Sequence, residues 1–241
     1  PKKPWNFGDD PGNNPRNFGP MGDGHLRPRA LILGPERKFY VGSFAPYGEH
    51  GGSLGVFDPV AGKPVENYRN LIPRQSISAL AYDPKTNLVF GGSDVAGGGG
   101  TVPVEPEALF FVWDPAAKKL LQTVSLVPGD TGTTSMAAAG GKVFVVTSPS
   151  NTLSVWDIGR KRVVDRRPID CGTAIEISLG MHTDGKVYGL TRKGVIRIDP
   201  ATHEVKHLAA YEPGVSVGWV MNAEGIYFAS GVHLVRWEWP D

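Results

Sequence analysis

The chain contains 241 residues, among them 32 Gly, 21 Pro and one Cys, and its 25 basic and 24 acidic side chains give a formal net charge of +1. This length suits one large all-β domain or two smaller ones, and the Gly and Pro content indicates many tight turns. The balanced charge gives no sign of the clustered Lys and Arg that phosphate binding needs, so we expect no nucleic-acid partner.

No apolar run approaches the roughly 18 residues needed to cross a bilayer, so we expect no membrane span. The first residues, PKKPWNFGDD, lack the apolar core of a signal peptide, and the lone Cys171 cannot form an internal disulfide. Because the sequence begins with Pro1 and not with Met, we expect that an upstream stretch was cleaved or is not included.

Residues 1–24 are rich in Pro, Gly, Asn and Asp and have no hydrophobic period, which predicts an irregular segment. Residues 25–241 differ, because short β-prone runs alternate there with turn residues. The first four runs are RALILG, KFYVGS, SLGVFDP and KPVENYRNL, and three further quartets follow. A last group has three runs, VSVGWVMN, GIYFAS and HLVRWEW. No stretch has a sustained helical period, so we expect few helices.

A turn motif ends the third run of each group. It reads VFDP from Val56, VWDP from Val112, VWDI from Val155 and RIDP from Arg197, with a degenerate RWEWPD from Arg236. Asp starts such a turn by accepting hydrogen bonds from backbone N–H groups two residues on, and Pro presets φ for the next position. The motif therefore predicts one hairpin in each group.

The groups repeat with the period of a propeller blade. Aromatic residues of the second runs recur about 40 to 50 residues apart, at Tyr40, Phe90, Phe144, Tyr188 and Tyr227. Repeats of this length with four strands each are typical of propellers. We therefore predict an all-β propeller of four-stranded antiparallel blades, with about five blades in residues 25–241.

The fifth blade lacks a fourth run in this pattern. Placing residues 1–4 after RWEWPD regenerates the turn motif, and residues 14–21, NPRNFGPM, resemble the run that ends blade one. Closure of a ring removes exposed strand edges, so we expect the N-terminal segment to supply the missing strand of a five-bladed ring. The alternative is a fragment of a seven-bladed ring.

The repeat resembles the broad class of bacterial propellers that includes the YVTN, NHL and WD-repeat types. The N-terminal stretch together with YGEHGGSLGVFDP and ALFFVWDPAAKKL is similar to bacterial propellers that are often secreted or surface-associated. The resemblance implies an extracellular or cell-surface location and a propeller fold, and it implies no particular activity.

Two inserts lengthen blades one and two. They are residues 44–52 and 94–107, and both lie between a second and a third strand, so they emerge on the face where propellers usually bind ligands. Gly97 to Gly100 form the longest candidate lid. The candidate ligand-face residues are His25, Arg27, Arg29, Tyr47, Glu49, His50, Arg74 and Gln75. Trp219 is a further candidate, because its ring could stack on a sugar.

We expect a non-catalytic binding propeller whose ligand is a carbohydrate. The first alternative is a polysaccharide lyase acting on a uronic acid, with His25, His50 or Tyr47 as the base and Arg27 or Arg74 neutralising the carboxylate. The second alternative is a protein-interaction scaffold. The same histidines and arginines could instead only cap turns and bind loop carbonyls, and the sequence does not predict an oligomeric state.

Metal and glycosidase signals are weak. We expect no cofactor, although Asp94, Glu105 and Glu107 could hold Ca²⁺, and His25 with His50 could join a catalytic divalent-metal site. No HxH, HExxH or CxxC spacing supports either site. Only Glu176 is an acid near the start of a predicted inner strand, which disfavours a glycosidase with two opposed carboxylates.

Overall fold

The computed structural model describes residues 6–10 and 12–240, and its regular structure is almost entirely antiparallel β-sheet. The strands form successive blades in chain order, which confirms the predicted all-β propeller. The one helical element in these ranges is a 3₁₀ turn at Pro35–Arg37. No helix within the described ranges is long and apolar enough to span a membrane.

Four blades have four strands each. Blade one consists of β1 (Arg27–Leu33), β2 (Phe39–Phe44), β3 (Ser53–Asp58) and β4 (Lys63–Arg69). Blade two consists of β5 (Ser76–Asp83), β6 (Leu88–Asp94), β7 (Phe110–Asp114) and β8 (Lys119–Val124). Blade three consists of β9 (Gly132–Ala139), β10 (Lys142–Ser148), β11 (Thr152–Asp157) and β12 (Arg162–Pro168). Blade four consists of β13 (Ala174–Met181), β14 (Val187–Thr191), β15 (Gly194–Ile198) and β16 (Val205–Ala210).

Blade five has three strands in the described part of the chain. They are β17 (Val217–Met221), β18 (Gly225–Ser230) and β19 (His233–Glu238), paired in that order. The outer edge of β19 therefore has no neighbouring strand among the described residues. Blades two and three share one bridge, between Asp94 and Gly132, which joins their strands into one sheet.

The predicted aspartate turns are present. Asp58 Oδ1 accepts hydrogen bonds from the backbone N–H groups of Val60 and Ala61 at 2.8 and 3.0 Å. Asp114 Oδ1 does the same for the second and third residues after it, at 3.0 Å in both cases. The carboxylate thus satisfies two backbone donors at the hairpin tip, as the sequence motif predicts.

Apolar clusters fill the spaces between successive blades. The first strands pack in order, β1 on β5, β5 on β9, β9 on β13 and β13 on β17. Between blades two and three, for example, the ring of Phe110 lies 5.0 Å from that of Trp156, centroid to centroid. The core is therefore a series of layers between blades, with the first strands around a central channel.

Residues 14–21 do not pair with β19 as the fourth strand of blade five, contrary to the prediction from the sequence. The described residues of the N-terminal segment cover the outer face of blade one, where the Phe18 ring meets the Phe57 ring at 5.1 Å. Met21 also lies on this face, above Gly55. The outer face of blade one is apolar, so it packs against the aromatic and aliphatic side chains of the segment. Pro and Gly residues keep the segment itself from forming a regular strand.

The predicted ring closure is also absent among the described strands. No packing comparable to that of β1 on β5 joins β17 to β1. The predicted turn at residues 1–4 lies outside the described residues. The described part of the five blades therefore forms an open arc around the channel.

Candidate functional site

The two inserts pack on each other at the face where the sequence predicts ligand binding. The backbone N–H of Gly48 donates to Gly99 O at 3.0 Å, and that of Gly98 donates to Glu49 O at 2.9 Å. A Cβ at Gly98 would lie 1.6 Å from Pro46 O, so glycine is required for this approach. The glycine run is therefore a packed contact with the first insert and does not stand over the face as a lid.

Three candidate residues of the first insert have different surroundings. His50 shares a hydrogen bond between its Nε2 and Val102 O at 2.9 Å, and Glu49 accepts one from Arg69 Nη2 at 2.6 Å. Tyr47 is 74% exposed. Glu49 thus holds the first insert to blade one and His50 holds it to the second insert, while Tyr47 lies exposed beside Gly99.

Arg74 and Gln75 fix the second insert. Arg74 forms an ion pair with Glu105. Gln75 is buried, its Nε2 donates to Glu107 O at 3.1 Å, and its Oε1 accepts from Ser93 Oγ. These contacts give both side chains a role in loop structure.

His25 lies on the outer face of blade one. Its Nδ1 bonds with Ser43 Oγ, and its Nε2 lies 3.1 Å from Asn67 Oδ1. Gly55 leaves room for the ring, because a Cβ there would be 2.8 Å from Nε2. Burial lowers the pKa of His25. The imidazole is therefore a neutral, hydrogen-bonded anchor of the N-terminal segment.

Arg27, Arg29 and Trp219 complete the set of candidates. The guanidinium carbons of Arg27 and Arg29 lie 5.2 and 5.5 Å from the centre of the Phe44 ring. Trp219 packs between blades four and five against Gly180. The nine candidate residues thus fall into several groups and do not converge on one site, and their roles in ligand binding stay predictions.

A cleft opens at the mouth of the central channel, on the same side as the inserts. Its main cavity has a volume of about 420 Å³ and adjoins a smaller one of about 40 Å³. Hydroxyl side chains line it: Ser78, Thr133, Thr134, Ser148, Thr173 and Ser216. Its charged residues are Arg29, Asp94, Glu176 and Arg192. We call this the channel-mouth cleft.

One arginine and two carboxylates lie together in the channel-mouth cleft. Arg29 of blade one forms an ion pair with Glu176 of blade four. Asp94 of blade two feels both of these charges, and its Oδ1 accepts a hydrogen bond from the Ala96 N–H at 2.7 Å. Burial raises the pKa of Asp94. The group carries one more negative than positive charge when both carboxyls are ionised.

An irregularity in β13 places Glu176 in the cleft. Ile177 has φ +52°, which is strained for a β-branched residue, and the pairing register shifts between Ala174 and Leu179. Ser135 Oγ holds the shifted strand by accepting hydrogen bonds from the N–H groups of Ser178 and Leu179, both at 2.9 Å. Backbone strain of this kind clusters at functional sites.

The sequence pointed to only part of this cleft. Arg29 and Glu176 were singled out, while Asp94 entered only as a Ca²⁺ ligand. Within the described ranges no cluster of His, Cys, Asp and Glu is arranged to hold a metal ion. The signal that could have located the cleft is the recurrence of Ser and Thr near the starts of β5, β9 and β13.

Comparisons with known proteins support the fold alone. The sequence matches no protein-family model and no curated protein. Among solved structures it is similar to the crystal structure of the RRP9 WD40 repeats, with a TM-score of 0.65 and 10% sequence identity over 86% of this chain. The chain spans 58% of the length of that structure. These findings agree with the observed blades, and the protein is a β-propeller repeat protein.

Proposed function

We propose that this protein is a non-catalytic binding propeller whose channel-mouth cleft accepts a basic segment of a partner protein. The proposal rests on the two carboxylates of Asp94 and Glu176, which lie with Arg29 in a cleft lined by hydroxyl groups, Arg29 being ion-paired with Glu176. A Lys or Arg side chain would add a positive charge beside these two carboxylates. Arg192, the other cation of the cleft, lines only the main cavity, where its Nη1 donates to Val215 O and Ser216 O. The propeller fold fits such a binding or scaffold role.

The state of Asp94 favours a cationic ligand. Burial raises its pKa, so the ionised carboxylate is poorly compensated by the protein itself. A ligand ammonium or guanidinium would stabilise the ionised form and add charge-assisted hydrogen bonds. Binding should therefore weaken as acidification protonates Asp94.

The Arg29–Glu176 pair can open to admit a ligand. Its side chains are 43% and 62% exposed. Exposed ion pairs are worth at most about 1 kcal/mol, so a ligand cation can replace Arg29 beside Glu176 at small cost. The surrounding hydroxyls can then bind the peptide backbone, because each is both a donor and an acceptor.

A carbohydrate is the second candidate ligand, favoured by the same hydroxyls and by Arg29. The cavity linings contain no Trp or Tyr on which a sugar could stack, which ranks this candidate below a peptide. Neither lining contains His or Tyr, so the lyase alternative gains no support from this cleft.

A random peptide library selected on the immobilised protein tests the proposal. We expect the selected peptides to be enriched in Lys and Arg. Their affinity, measured by fluorescence anisotropy, should fall about tenfold or more in the double variant Asp94→Asn, Glu176→Gln, because hydrogen bonds to charged groups are worth about 1.5–3 kcal/mol. Wild-type affinity should fall on acidification, and that of Asp94→Asn should fall less.

The matched control is Glu204→Gln. It removes an exposed carboxylate at the hairpin between β15 and β16, at the opposite end of blade four, and should leave the affinity unchanged. Selected peptides that bind the double variant and the wild type equally would refute the proposal. If no peptide is selected and glycans bind in a manner that depends on Arg29, the ligand is a carbohydrate and not a basic peptide.

A further inference from the structure

An apolar cavity lies between blades two and three, at the end of these blades opposite the channel-mouth cleft. Its volume is about 190 Å³. Lys161 is the one charged residue in the described lining, which contains no Asp or Glu. Four buried side chains form the inner wall: Phe90, Val112, Trp156 and Ile158. We call this the inter-blade cavity.

The two neighbouring interfaces between blades carry an acid–base pair at the position of Lys161. Lys118 of blade two pairs with Glu66 of blade one, and Nζ lies 2.8 Å from Oε1. His203 of blade four bonds with Asp165 of blade three, and Nδ1 lies 3.0 Å from Oδ2. Lys118, Lys161 and His203 each stand at the fourth position after the turn Asp, with φ of +51°, +55° and +62°. Lys161 is therefore the counterpart of two paired bases.

Gln122 replaces the acid at the interface of blades two and three. The fourth-strand residues lie opposite equivalent valines, in the pairs Val56 with Glu66, Val112 with Gln122 and Val155 with Asp165. Gln122 and Lys161 both line the inter-blade cavity, but the amide of Gln122 is neutral. None of the ion pairs in the described part of the chain involves Lys161. The cavity thus has a cation beside it and no acid.

A smaller side chain at the same interface explains the open space. Between blades one and two, the Tyr68 ring packs on the Trp113 ring with centroids 4.4 Å apart. Trp156 corresponds to Trp113, since each precedes its turn Asp, and Val124 corresponds to Tyr68 in the strand pairing. Because valine has no ring, the interface beside Trp156 is filled less completely.

The size and charge of the inter-blade cavity indicate what fits it. Small-molecule sites usually have volumes of about 300–1,000 Å³, whereas an engineered cavity of about 150 Å³ binds one benzene. The inter-blade cavity is therefore suited to one apolar side chain such as Phe or Leu. Leu121 extends the apolar surface at the rim, where it is 46% exposed. A carboxylate next to the inserted side chain would form the ion pair that Lys161 lacks.

We propose that the inter-blade cavity binds a Phe or Leu side chain from an acidic segment of a partner protein, with an adjacent Asp or Glu paired to Lys161. Burial of the apolar anchor supplies most of the affinity. The exposed ion pair selects acidic neighbours of that anchor. The site differs from the channel-mouth cleft in its charge preference, and the two share no lining residue.

A peptide library with a fixed central Phe or Leu and random flanks, selected on the immobilised full chain, tests the proposal. We expect one class of selected peptides to be rich in Asp and Glu. Lys161→Gln should weaken binding of these acidic peptides about threefold to fivefold in fluorescence anisotropy, as expected for loss of an exposed ion pair. The matched control is Lys85→Gln, which removes an exposed lysine at the same end of blade two, outside the cavity lining, and should leave the affinity unchanged.

Two further variants copy the interface of blades one and two. Val124→Tyr should fill the cavity as Tyr68 does and weaken binding about tenfold or more, since it excludes the anchor. Gln122→Glu should pair with Lys161 and compete with the peptide carboxylate, which weakens binding about threefold without lowering the melting temperature. Gln122→Glu conserves side-chain volume, so it gives a clear result even if the larger side chain of Val124→Tyr disturbs the packing.

Several results would overturn the proposal. Selection of no acidic peptides would refute it, and so would acidic peptides that bind Lys161→Gln and Gln122→Glu as tightly as the wild type. Binding of phenylacetate that depends on Lys161, with no peptide selected, would make the ligand a small carboxylate. Self-association that is lost in Lys161→Gln would make the occupant a second copy. The double variant Asp94→Asn, Glu176→Gln should bind the acidic peptides normally, so failure of the proposal for the channel-mouth cleft would leave this one standing.

Discussion

The lowered pKa of His25 makes the stability of the folded protein depend on pH. The imidazole has a pKa of about 6.5 in an unfolded chain, whereas burial lowers the pKa of His25 in the folded protein. The unfolded state therefore takes up a proton first as the pH falls below about 6.5. This uptake favours unfolding, so the contribution of His25 to stability is present above that pH and is lost on acidification.

The prediction is that His25→Gln makes the protein less sensitive to acid. Gln stays neutral at every pH and can still hydrogen-bond with Ser43 and Asn67. The melting temperature should fall less between pH 7.5 and pH 5.5 in the variant than in the wild type. The control is His233→Gln, which changes an exposed histidine and should leave the wild-type pH profile intact. Identical profiles for His25→Gln and the wild type would contradict the argument.

Residues whose role is local were the most predictable. Asp58 and Asp114 act on backbone groups two and three positions away, so their turns could be predicted from short motifs. His25, in contrast, bonds with Asn67, 42 positions along the chain. No local pattern contains that partner, and the prediction for His25 accordingly placed it on the ligand face.

At the scale of elements, the strands followed their sequence patterns, whereas the packing of the N-terminal segment did not. All nineteen described strands coincide with predicted β-prone runs, because burial in layers between blades imposes alternation and β-branched or aromatic residues. The segment of residues 6–24 contains apolar side chains without a period. These side chains indicate that the segment covers an apolar face. The exposed faces of blade one and blade five were both available, and the sequence does not distinguish them.

Phe18 is the residue that tests this packing. Its ring lies edge-on against Phe57, and the Arg16 guanidinium lies 4.7 Å from its centre. Phe18→Ala should lower the free energy of unfolding, measured in urea, by about 1 kcal/mol. The loss is smaller than for a fully buried phenylalanine because the Phe18 ring is partly exposed. Limited proteolysis should also cut residues 6–24 sooner.

The matched control is Phe7→Ala in the same segment. Phe7 is 65% exposed, compared with 43% for Phe18, so its removal should change neither the urea midpoint nor the cleavage rate. If both variants behave alike, the segment does not depend on the Phe18 contact.

At the scale of the molecule, the candidate site comes from residues far apart in sequence. Arg29 and Glu176 meet across the channel, 147 positions apart, because the blades curve around it. The sequence predicted the propeller, and the face proposed for ligand binding stays a prediction. The sequence could not predict the cleft, since the curvature of the arc and the shifted register of β13 decide which side chains meet there.

The open arc also sets a gradient of stability. Blade three is covered by clusters on both faces, whereas among the described residues blade five packs in one cluster, with blade four. Its outer face leaves Val220 63% exposed and Leu234 78% exposed. In a protein built of repeats, stability is close to a sum of terms for neighbouring contacts, so a terminal repeat with one neighbour opens first.

Two buried phenylalanines allow this gradient to be measured by hydrogen exchange. Phe144 of β10 and Phe228 of β18 are 0% and 3% exposed, so the substitutions Phe144→Leu and Phe228→Leu are matched in chemistry and in burial. Each substitution should lower the free energy of opening of the strands that its side chain contacts by about 1 to 2 kcal/mol. Phe228→Leu should speed exchange in β17, β18 and β19 and leave β10 unchanged, since blade five opens by itself. Phe144→Leu should speed exchange in β10 and also in β13 to β16, because its cluster joins blades three and four. If both variants speed hydrogen exchange equally throughout the chain, the arc unfolds as one unit. Blade five, at its exposed end, would then not open independently.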